Sequence, residues 1–183
     1  MMRRPVVTWG LIVVAAVVAV FIIVASRQPD TFRVQRSTMV KAPASKPFDD
    51  VNDFRNWTKW SPYMELDPNM TITYDGPHSG VGAAMAWSGN SKAGQGRMTI
   101  VESRQDELIR IRLEFTKPFA ATDMAEFTFS GGSNGTGVMW SMTGNNNFMF
   151  KAMHTVMNMD KLVGGDFERG LAKLKNVVEA DSI

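Results

Sequence analysis

The sequence contains no cysteine and only two histidines, His78 and His154, in 183 residues. Without cysteine the chain cannot form disulfide bonds, thiolate metal sites or a lipid linkage through a cysteine thiol. The two histidines are far apart, and neither a His-x-x-x-His pair nor a carboxylate-rich loop occurs, so nothing supports a metal centre. We therefore expect neither a metal nor a cofactor.

A concentrated basic surface is also lacking. The chain has 20 Lys and Arg against 18 Asp and Glu, a net charge of +2, and no basic cluster longer than Arg3-Arg4. Nucleic-acid binding needs a clustered positive face, so we expect none. The glycine-rich stretch Gly131–Gly137 lacks the Gly-Lys-Ser/Thr ending of a phosphate loop, and no Gly-x-Ser-x-Gly elbow occurs. These absences argue against nucleotide binding and serine hydrolase chemistry.

One long apolar segment dominates the N-terminus. Val6 to Ala25 is twenty residues without a charge, preceded by Arg3-Arg4 and followed by Arg27. As a helix it would span about 30 Å, the thickness of a bilayer core. It is apolar all round, unlike a helix in the core of a soluble protein. We favour an uncleaved membrane anchor, and a signal peptide cleaved near Val24–Ser26 is the alternative.

The charges on either side of this segment bear on its orientation. Arg27, Arg33, Arg36 and Lys41 follow it, so a strict Lys/Arg count does not favour export of the rest of the chain. A short basic tail before a first apolar segment nevertheless usually stays in the cytoplasm, and charges within a large domain count for less. We predict a single-pass protein of the inner (plasma) membrane with its C-terminal domain exported to the periplasm.

The part of the chain that follows the apolar segment is predicted to form one soluble domain. Residues 1–30 form the predicted tail, anchor and tether, and residues 31–183 are too few for two domains. A first strand over Phe32–Lys41 is followed by one or two short helices with apolar residues at helical spacing. Six further strands joined by Gly/Asn turns follow; the clearest, Glu107–Phe115, alternates strictly between apolar and charged residues.

A long helix is predicted to close the chain, over roughly Phe150 to Val178. Its apolar residues recur at three- and four-residue steps on one face. Gly164 and Gly165 lie on or beside that face, and we favour close packing or a kink there over a hinge. The predicted fold is therefore α+β: a curved antiparallel sheet of about seven strands around a long C-terminal helix, preceded by one transmembrane helix.

Several motifs, taken in order, resemble a known family. Arg36-Ser37 begins the set, which continues with Val40–Pro43, Phe48–Phe54, Trp57–Tyr63, Asp67-Pro68, Trp87–Asn90, Gly94–Gly96, Phe115–Phe119, Trp140–Met142, Met159–Lys161 and Gly165–Leu171. Together they resemble the SRPBCC superfamily (START-like, helix-grip fold) in its polyketide cyclase/dehydrase-like branch, over about Phe32 to Val178. The resemblance implies a domain that binds a hydrophobic small molecule or lipid. It does not imply a reaction, because the superfamily includes carriers, sensors, co-chaperones and cyclases.

A pocket between the sheet and the C-terminal helix is the expected ligand site. Methionine is unbranched and polarizable, so it adapts to varied apolar shapes, and the chain has 14 of them. The predicted lining is Trp87, Met98, Ile111, Leu113, Phe115, Phe127, Phe129, Trp140, Met142, Met153 and Met157. For any one of these residues, ordinary core packing is the competing interpretation.

Two further features leave alternatives open. Trp57, Trp60 and Tyr63 either line the pocket mouth or fasten the short helices to the sheet. His154 is the one titratable imidazole near the predicted pocket, and it is a weak catalytic candidate because an exposed helix position is the better interpretation. We otherwise predict no catalytic residue.

The leading hypothesis is a non-catalytic, membrane-tethered module that binds an apolar ligand. The rivals are a cyclase/dehydratase-type enzyme, which needs a polar titratable group inside the pocket, and a co-chaperone-like interaction domain. The sequence does not identify the ligand or the oligomeric state.

Overall fold

The structure is a computed structural model that describes residues 4–146, 148–156 and 158–180. The described chain contains four α-helices, two short 3₁₀-helices and seven strands. In chain order these are α1 Arg4–Ser26, β1 Thr31–Val40, α2 Ser45–Asn52, the 3₁₀-helices Phe54–Lys59 and Pro62–Glu65, β2 Thr71–Asp75, β3 Ala84–Ser88, β4 Gln95–Arg104, β5 Leu108–Lys117, β6 Ala121–Gly132, β7 Gly135–Asn145, α3 Phe148–Val156 and α4 Met159–Ala180.

All seven strands lie in one antiparallel sheet, as the alternation predicted. The strand order is β1-β7-β6-β5-β4-β3-β2, so strands β2 to β7 form a continuous meander and β1 pairs with β7. Irregular pairing between β4 and β5 occurs at Gln95/Gly96 and again at Ile100/Glu102. Such bulges bend a strand and increase its twist, which helps the sheet to curve.

The described chain forms two compact units. The sheet unit holds the sheet from Arg33 onward, α2, the 3₁₀-helices and α4 from Asp160. The helical unit holds α1, the start of β1 and the segment from Asn145 through α3.

The core of the sheet unit lies between the concave face of the sheet, here called the inner face, and α4. Phe167, Leu171, Leu174 and Val178 recur at three- and four-residue steps along α4, and each is at most 2 % exposed. The predicted apolar face of the C-terminal helix is therefore confirmed at these positions. Burying such a face supplies most of a helix's stability in a protein.

Helix α4 runs through both Gly164 and Gly165, but only Gly164 serves close packing, because a Cβ on Gly165 would meet nothing within 4 Å. A Cβ on Gly164 would lie 2.1 Å from an Arg36 guanidinium nitrogen. That guanidinium bonds to Asp160 at 3.0 Å and to Glu168 at 2.7 Å, which joins β1 to two positions of α4 that are about two turns apart. These carboxylates raise the pKa of Arg36 further above its usual value. A side chain at Gly164 would displace this network.

The predicted long C-terminal helix is present as α4, but it begins at Met159 and not near Phe150. Helix α3 ends at Val156, Asn158 is not helical, and α4 begins at Met159. Asp160 lies in the first turn of α4, where a negative charge favours a helix start. An apolar repeat at helical spacing continues across such a break, because it reports which side is buried and not whether the backbone hydrogen bonds continue.

In the helical unit, α1 is apolar and largely unpacked. Its 18 residues from Trp9 to Ser26 have a mean hydropathy of 2.8, and 6 % of that window is buried. The helix could be a membrane anchor or a signal sequence by length and composition. At its end Ala25 is fully buried, and Asn146 donates to the carbonyl oxygens of Pro29 and Asp30.

Candidate functional site

One half of the inner face is filled by aromatic rings. Trp140 of β7 stacks on Phe167 of α4 with ring centroids 4.1 Å apart, and on Phe127 of β6 at 4.9 Å. Trp57 and Trp60 meet both Phe127 and Trp140 edge-on, at 5.7–6.3 Å. We call these five residues the aromatic cluster. Each is at most 3 % exposed, so the cluster joins the 3₁₀-helix, sheet and α4 into one core.

The question left open for Trp57 and Trp60 is answered by their contacts. The indole nitrogen of Trp57 donates to the Val51 carbonyl at 3.0 Å, and that of Trp60 donates to the Asp50 carbonyl at 3.2 Å. Both acceptors belong to α2. Since both rings also contact Phe127 and Trp140, the two tryptophans fasten α2 to the sheet.

Tyr63 lies at the rim of this cluster, with its ring 6.1 Å from that of Trp140. Burial, assisted by the nearby negative charge of Asp166, raises the pKa of the Tyr63 phenol well above its usual value. The phenol is therefore neutral at physiological pH. It is therefore not suited to act as a base.

The other half of the inner face is less deeply packed. Ile109 and Ile111 of β5 are fully buried, whereas Leu113 and Phe115, further along the same face, are half-buried. Residues opposite one another in the ladder share a face, and the register pairs Leu113 with Asp123 and Ala125 with Met142. We define the half-buried patch as Trp87, Leu113, Phe115, Asp123 and Met142.

Gly96 allows the patch to form at its β3 edge. Trp87 and Phe115 both lie opposite Gly96 in the ladder, and their rings meet edge-on at 5.6 Å. A Cβ on Gly96 would lie 2.5 Å from the Trp87 ring and 2.6 Å from the Glu114 carbonyl oxygen. The indole nitrogen of Trp87 donates to the Ala93 carbonyl at 3.0 Å. The ring is thus held flat across the strand.

Asp123 is the titratable member of the patch. It alternates with Ala121, Ala125 and Phe127 along β6, which places it on the inner face. In the part of the chain that the structure describes, its carboxylate forms neither a hydrogen bond nor an ion pair. Burial without a compensating partner raises the pKa of Asp123 to about 6.

Sequence reasoning missed Asp123, although the signal was available. The alternation that assigned Ala125, Phe127 and Phe129 to one side extends back by one step to Asp123. An acidic residue at the end of an apolar repeat usually marks where the repeat stops, so the position did not suggest a site. Only the ladder pairing with Leu113 and Gly144 shows that the repeat continues through it.

Replacing Asp123 with Asn is expected to stabilise the protein at neutral pH. The folded pKa of about 6 exceeds the unfolded value of about 3.9, so the folded state holds the proton more tightly. The wild-type chain therefore loses stability as pH rises from about 4 to 6 and stays penalised above that. After a discount for solvent screening, we expect Asp123→Asn to gain about 1–2 kcal/mol at pH 7 and nothing below pH 4.

Urea unfolding of both proteins at pH 4 and pH 7 measures this difference. Glu114→Gln is the control, because it neutralises an acid on the neighbouring strand but on the outer face. An equal stability difference between wild type and Asp123→Asn at both pH values would contradict the assignment of a raised pKa to this carboxyl.

The structure separates the predicted lining residues into three groups. Trp87, Leu113, Phe115 and Met142 are half-buried on the inner face, along the strands from β3 to β7, and Trp87 contacts Phe115. Others lie in the core at no more than 5 % exposure, namely Met98, Ile111, Phe127, Phe129 and Trp140. Met153 lies in α3 of the helical unit, Met157 lies outside the described residues, and the structure does not describe the side chain of His154.

The charged residues of the neighbouring strands lie on the outer face. Arg110 bonds to Glu102 at 2.6 Å and to Glu126 at 2.7 Å, and Arg112 lies 3.3 Å from Glu114. The Arg112–Glu114 pair therefore lies within one strand, whereas Arg110 pairs across strands with Glu102 of β4 and Glu126 of β6. These ion pairs are exposed, so they contribute little to stability.

Nothing in the described residues resembles a metal centre. A group of three or more His, Asp or Glu side chains close enough to hold an ion is absent from them. His78 has its Nδ1 3.5 Å from an Asp53 oxygen, but its side chain is 77 % exposed.

Comparison with known proteins agrees with this geometry. The model of the family described as polyketide cyclase/dehydrase and lipid transport matches residues 31–179. The chain matches no functionally curated protein at a significant level. Among solved structures, a protein of unknown function from Staphylococcus aureus superposes with a TM-score of 0.62 at 13 % identity, covering 83 % of this chain and 96 % of that one.

Two further structures have the same fold. A protein from Chromobacterium violaceum gives a TM-score of 0.56 at 17 % identity, over 82 % of this chain and 99 % of its own. The Aha1 dimer from Colwellia psychrerythraea gives 0.58 at 13 % identity, over 81 % and 96 %. At these identities the likeness concerns the fold alone.

Proposed function

The chain belongs to the polyketide cyclase/dehydrase and lipid transport family, and from this premise we propose that it is a non-catalytic, membrane-anchored domain that binds a hydrophobic small molecule or lipid. The observation that carries the proposal is the half-buried patch. Its apolar side chains share the inner face with fully buried residues yet retain accessible surface. A concave apolar surface with one polar group is the usual character of a small-molecule site.

The contrast between the two halves of the inner face supports this location. The aromatic cluster leaves almost no accessible surface on its rings, so a ligand there would have to displace core packing. In the patch, an apolar ligand would only need to displace water from Leu113, Phe115, Trp87 and Met142. The proposal therefore reduces the expected lining to these four side chains, together with Met98, which is buried beside Leu113 on the neighbouring strand.

The apolar helix α1 supports a membrane tether for this site. Every large apolar side chain between Trp9 and Val24 is exposed, which suits a hydrocarbon surrounding. We propose that residues 6–25 anchor the chain in the inner membrane with the domain over residues 31–183 exported. A tether raises the local concentration of the domain near the bilayer, which is a source of apolar ligands.

Photo-crosslinking in intact cells tests the ligand site and requires no choice of candidate ligand. In one full-length variant p-benzoylphenylalanine replaces Leu113, and in the control it replaces the neighbouring outer-face residue Arg112. After irradiation, the intact mass of the first protein is expected to increase by that of a small molecule, whereas the control keeps its mass. Equal labelling of the two variants, or a lack of adducts on both, would count against the proposal.

An enzyme of the cyclase/dehydratase type is a second candidate, and Asp123 is the observation in its favour. A carboxyl with a pKa near 6 inside an apolar surface is suited to donate or accept a proton at neutral pH. Comparison of the ligands extracted from wild type and from Asp123→Asn distinguishes the two functions. An enzyme would hold an unconverted substrate in the variant, heavier by one water in a dehydration, whereas a carrier would hold the same molecule in both.

A further inference from the structure

We propose that Asp123 is the polar recognition point of the half-buried patch, and that its ligand is an apolar molecule carrying a hydrogen-bond donor, a hydroxyl or an amine. The same group disfavours carboxylate and phosphate ligands. This inference rests on the proposed function, because it specifies the chemistry of the molecule bound at that site.

The surroundings of Asp123 leave its carboxylate accessible from the sheet surface. Along β6 its neighbours on the inner face are Ala121 and Ala125, and across the ladder on β7 it faces Gly144. These residues have small side chains or none. On the β5 side Leu113 lies directly opposite. The carboxylate thus lies among small residues and is bordered by the apolar side chains of the patch.

A donor for this carboxylate is lacking within the described chain. The arginines of β5, Arg110 and Arg112, lie on the outer face and have carboxylate partners there. Arg36, which does lie on the inner side of β1, is bonded to Asp160 and Glu168. An acceptor held in apolar surroundings without a donor is destabilising. A donor on the ligand would relieve this cost on binding, and the site would then discriminate by chemistry as well as by shape.

The same carboxylate disfavours anionic ligands. A fatty acid carboxylate or a lipid phosphate placed in the patch would bring two negative charges together with no cation between them. A neutral molecule without a donor would fill the patch but leave the carboxylate dehydrated. Among ligands that share the same hydrophobic part, the one that carries a hydrogen-bond donor is therefore expected to bind most tightly.

Three naphthalene probes of similar shape test this preference. They are 2-naphthol, which has a donor, 2-methoxynaphthalene, which has none, and 2-naphthoate, which is an anion. Binding to the full-length chain in lipid nanodiscs is measured by equilibrium dialysis, and protein-free nanodiscs correct for partition into lipid. We expect 2-naphthol to bind about tenfold more tightly than 2-methoxynaphthalene, and 2-naphthoate to bind most weakly.

Variants connect the preference to Asp123. Asp123→Leu removes the acceptor and is expected to abolish the preference for 2-naphthol, whereas Asp123→Asn, which keeps a neutral acceptor, reduces it. Both variants should still bind 2-methoxynaphthalene at least as well as wild type, which shows that the site is folded. Glu114→Gln is the matched control, since it removes an acid from the outer face, and it should retain the full preference.

The outcomes separate this inference from the function on which it rests. If 2-naphthol and 2-methoxynaphthalene bind the wild type equally, water supplies the hydrogen bonds of the carboxylate and the inference is overturned. The proposal of an apolar ligand site is then retained. Tighter binding of 2-naphthoate, or an unchanged preference in Asp123→Leu, also overturns it. If none of the three probes binds the wild type above the nanodisc background, the proposed function fails, and this inference fails with it.

Discussion

The full-length chain with Val14→Arg and Val18→Arg is expected to leave the membrane fraction. Both valines lie near the middle of the apolar helix and are at least half exposed. Each arginine at the centre of a membrane span costs about 2.5–3.5 kcal/mol on an insertion scale. Two such changes amount to roughly a 10⁴-fold shift against insertion, whereas wild type should resist alkaline carbonate extraction.

The control is the pair Val14→Leu and Val18→Leu, which alters the same positions and keeps them apolar. It should fractionate with wild type. The intact mass of the wild-type chain recovered from membranes distinguishes an anchor from a signal sequence, because a cleaved chain would lack about the first 25 residues. Release of an uncleaved wild-type chain by carbonate would refute the anchor.

Trp140→Ala is expected to reduce the free energy of unfolding by about 3–5 kcal/mol, the range for large aromatic truncations in a core. The ring lies between Phe127 and Phe167 and also meets Trp57 of the first 3₁₀-helix and Trp60, which follows that helix. Its removal would leave a cavity between β7 and α4. Pro62 and Gly170 also pack closely at this point, since a Cβ on Gly170 would lie 2.8 Å from Trp140. Chemical unfolding followed by circular dichroism measures the loss.

Two conservative variants separate ring packing from hydrogen bonding. The indole nitrogen of Trp140 is buried without an acceptor among the described residues, so Trp140→Phe loses volume but no hydrogen bond. Trp60→Phe also loses the bond to the Asp50 carbonyl. We expect Trp60→Phe to cost about 1 kcal/mol more. A loss below about 1 kcal/mol for Trp140→Ala would show that this ring lies in a replaceable position such as a ligand site.

Much of the fold could be predicted from local patterns in the sequence. Strand β5 alternates so regularly that its two faces can be assigned from Ile109 and Arg110 alone, and the structure confirms both. The buried positions of α4 were predicted by spacing. Such patterns are reliable because the side-chain periods of strands and helices follow from backbone geometry.

How deeply each residue of a strand face is buried could not be predicted from these patterns. Ile111 and Leu113 occupy equivalent places in the alternation, yet the first is fully buried and the second is half-buried. Alternation assigns a residue to a face, but its exposure depends on what packs over it. The aromatic cluster covers one end of the inner face, through residues of the first 3₁₀-helix, its C-terminal flank and α4 that are distant in sequence.

The sequence alone therefore determined three features: the apolar segment at residues 6–25, the seven strands and the buried face of α4. Each of them is a periodic or continuous local pattern. The break before Met159, the role of Gly164 beside Arg36 and the position of Asp123 among apolar neighbours required the tertiary structure. Each of these depends on which strands and helices lie side by side. That arrangement results from the summed packing of the whole inner face, and a short stretch of sequence does not contain it.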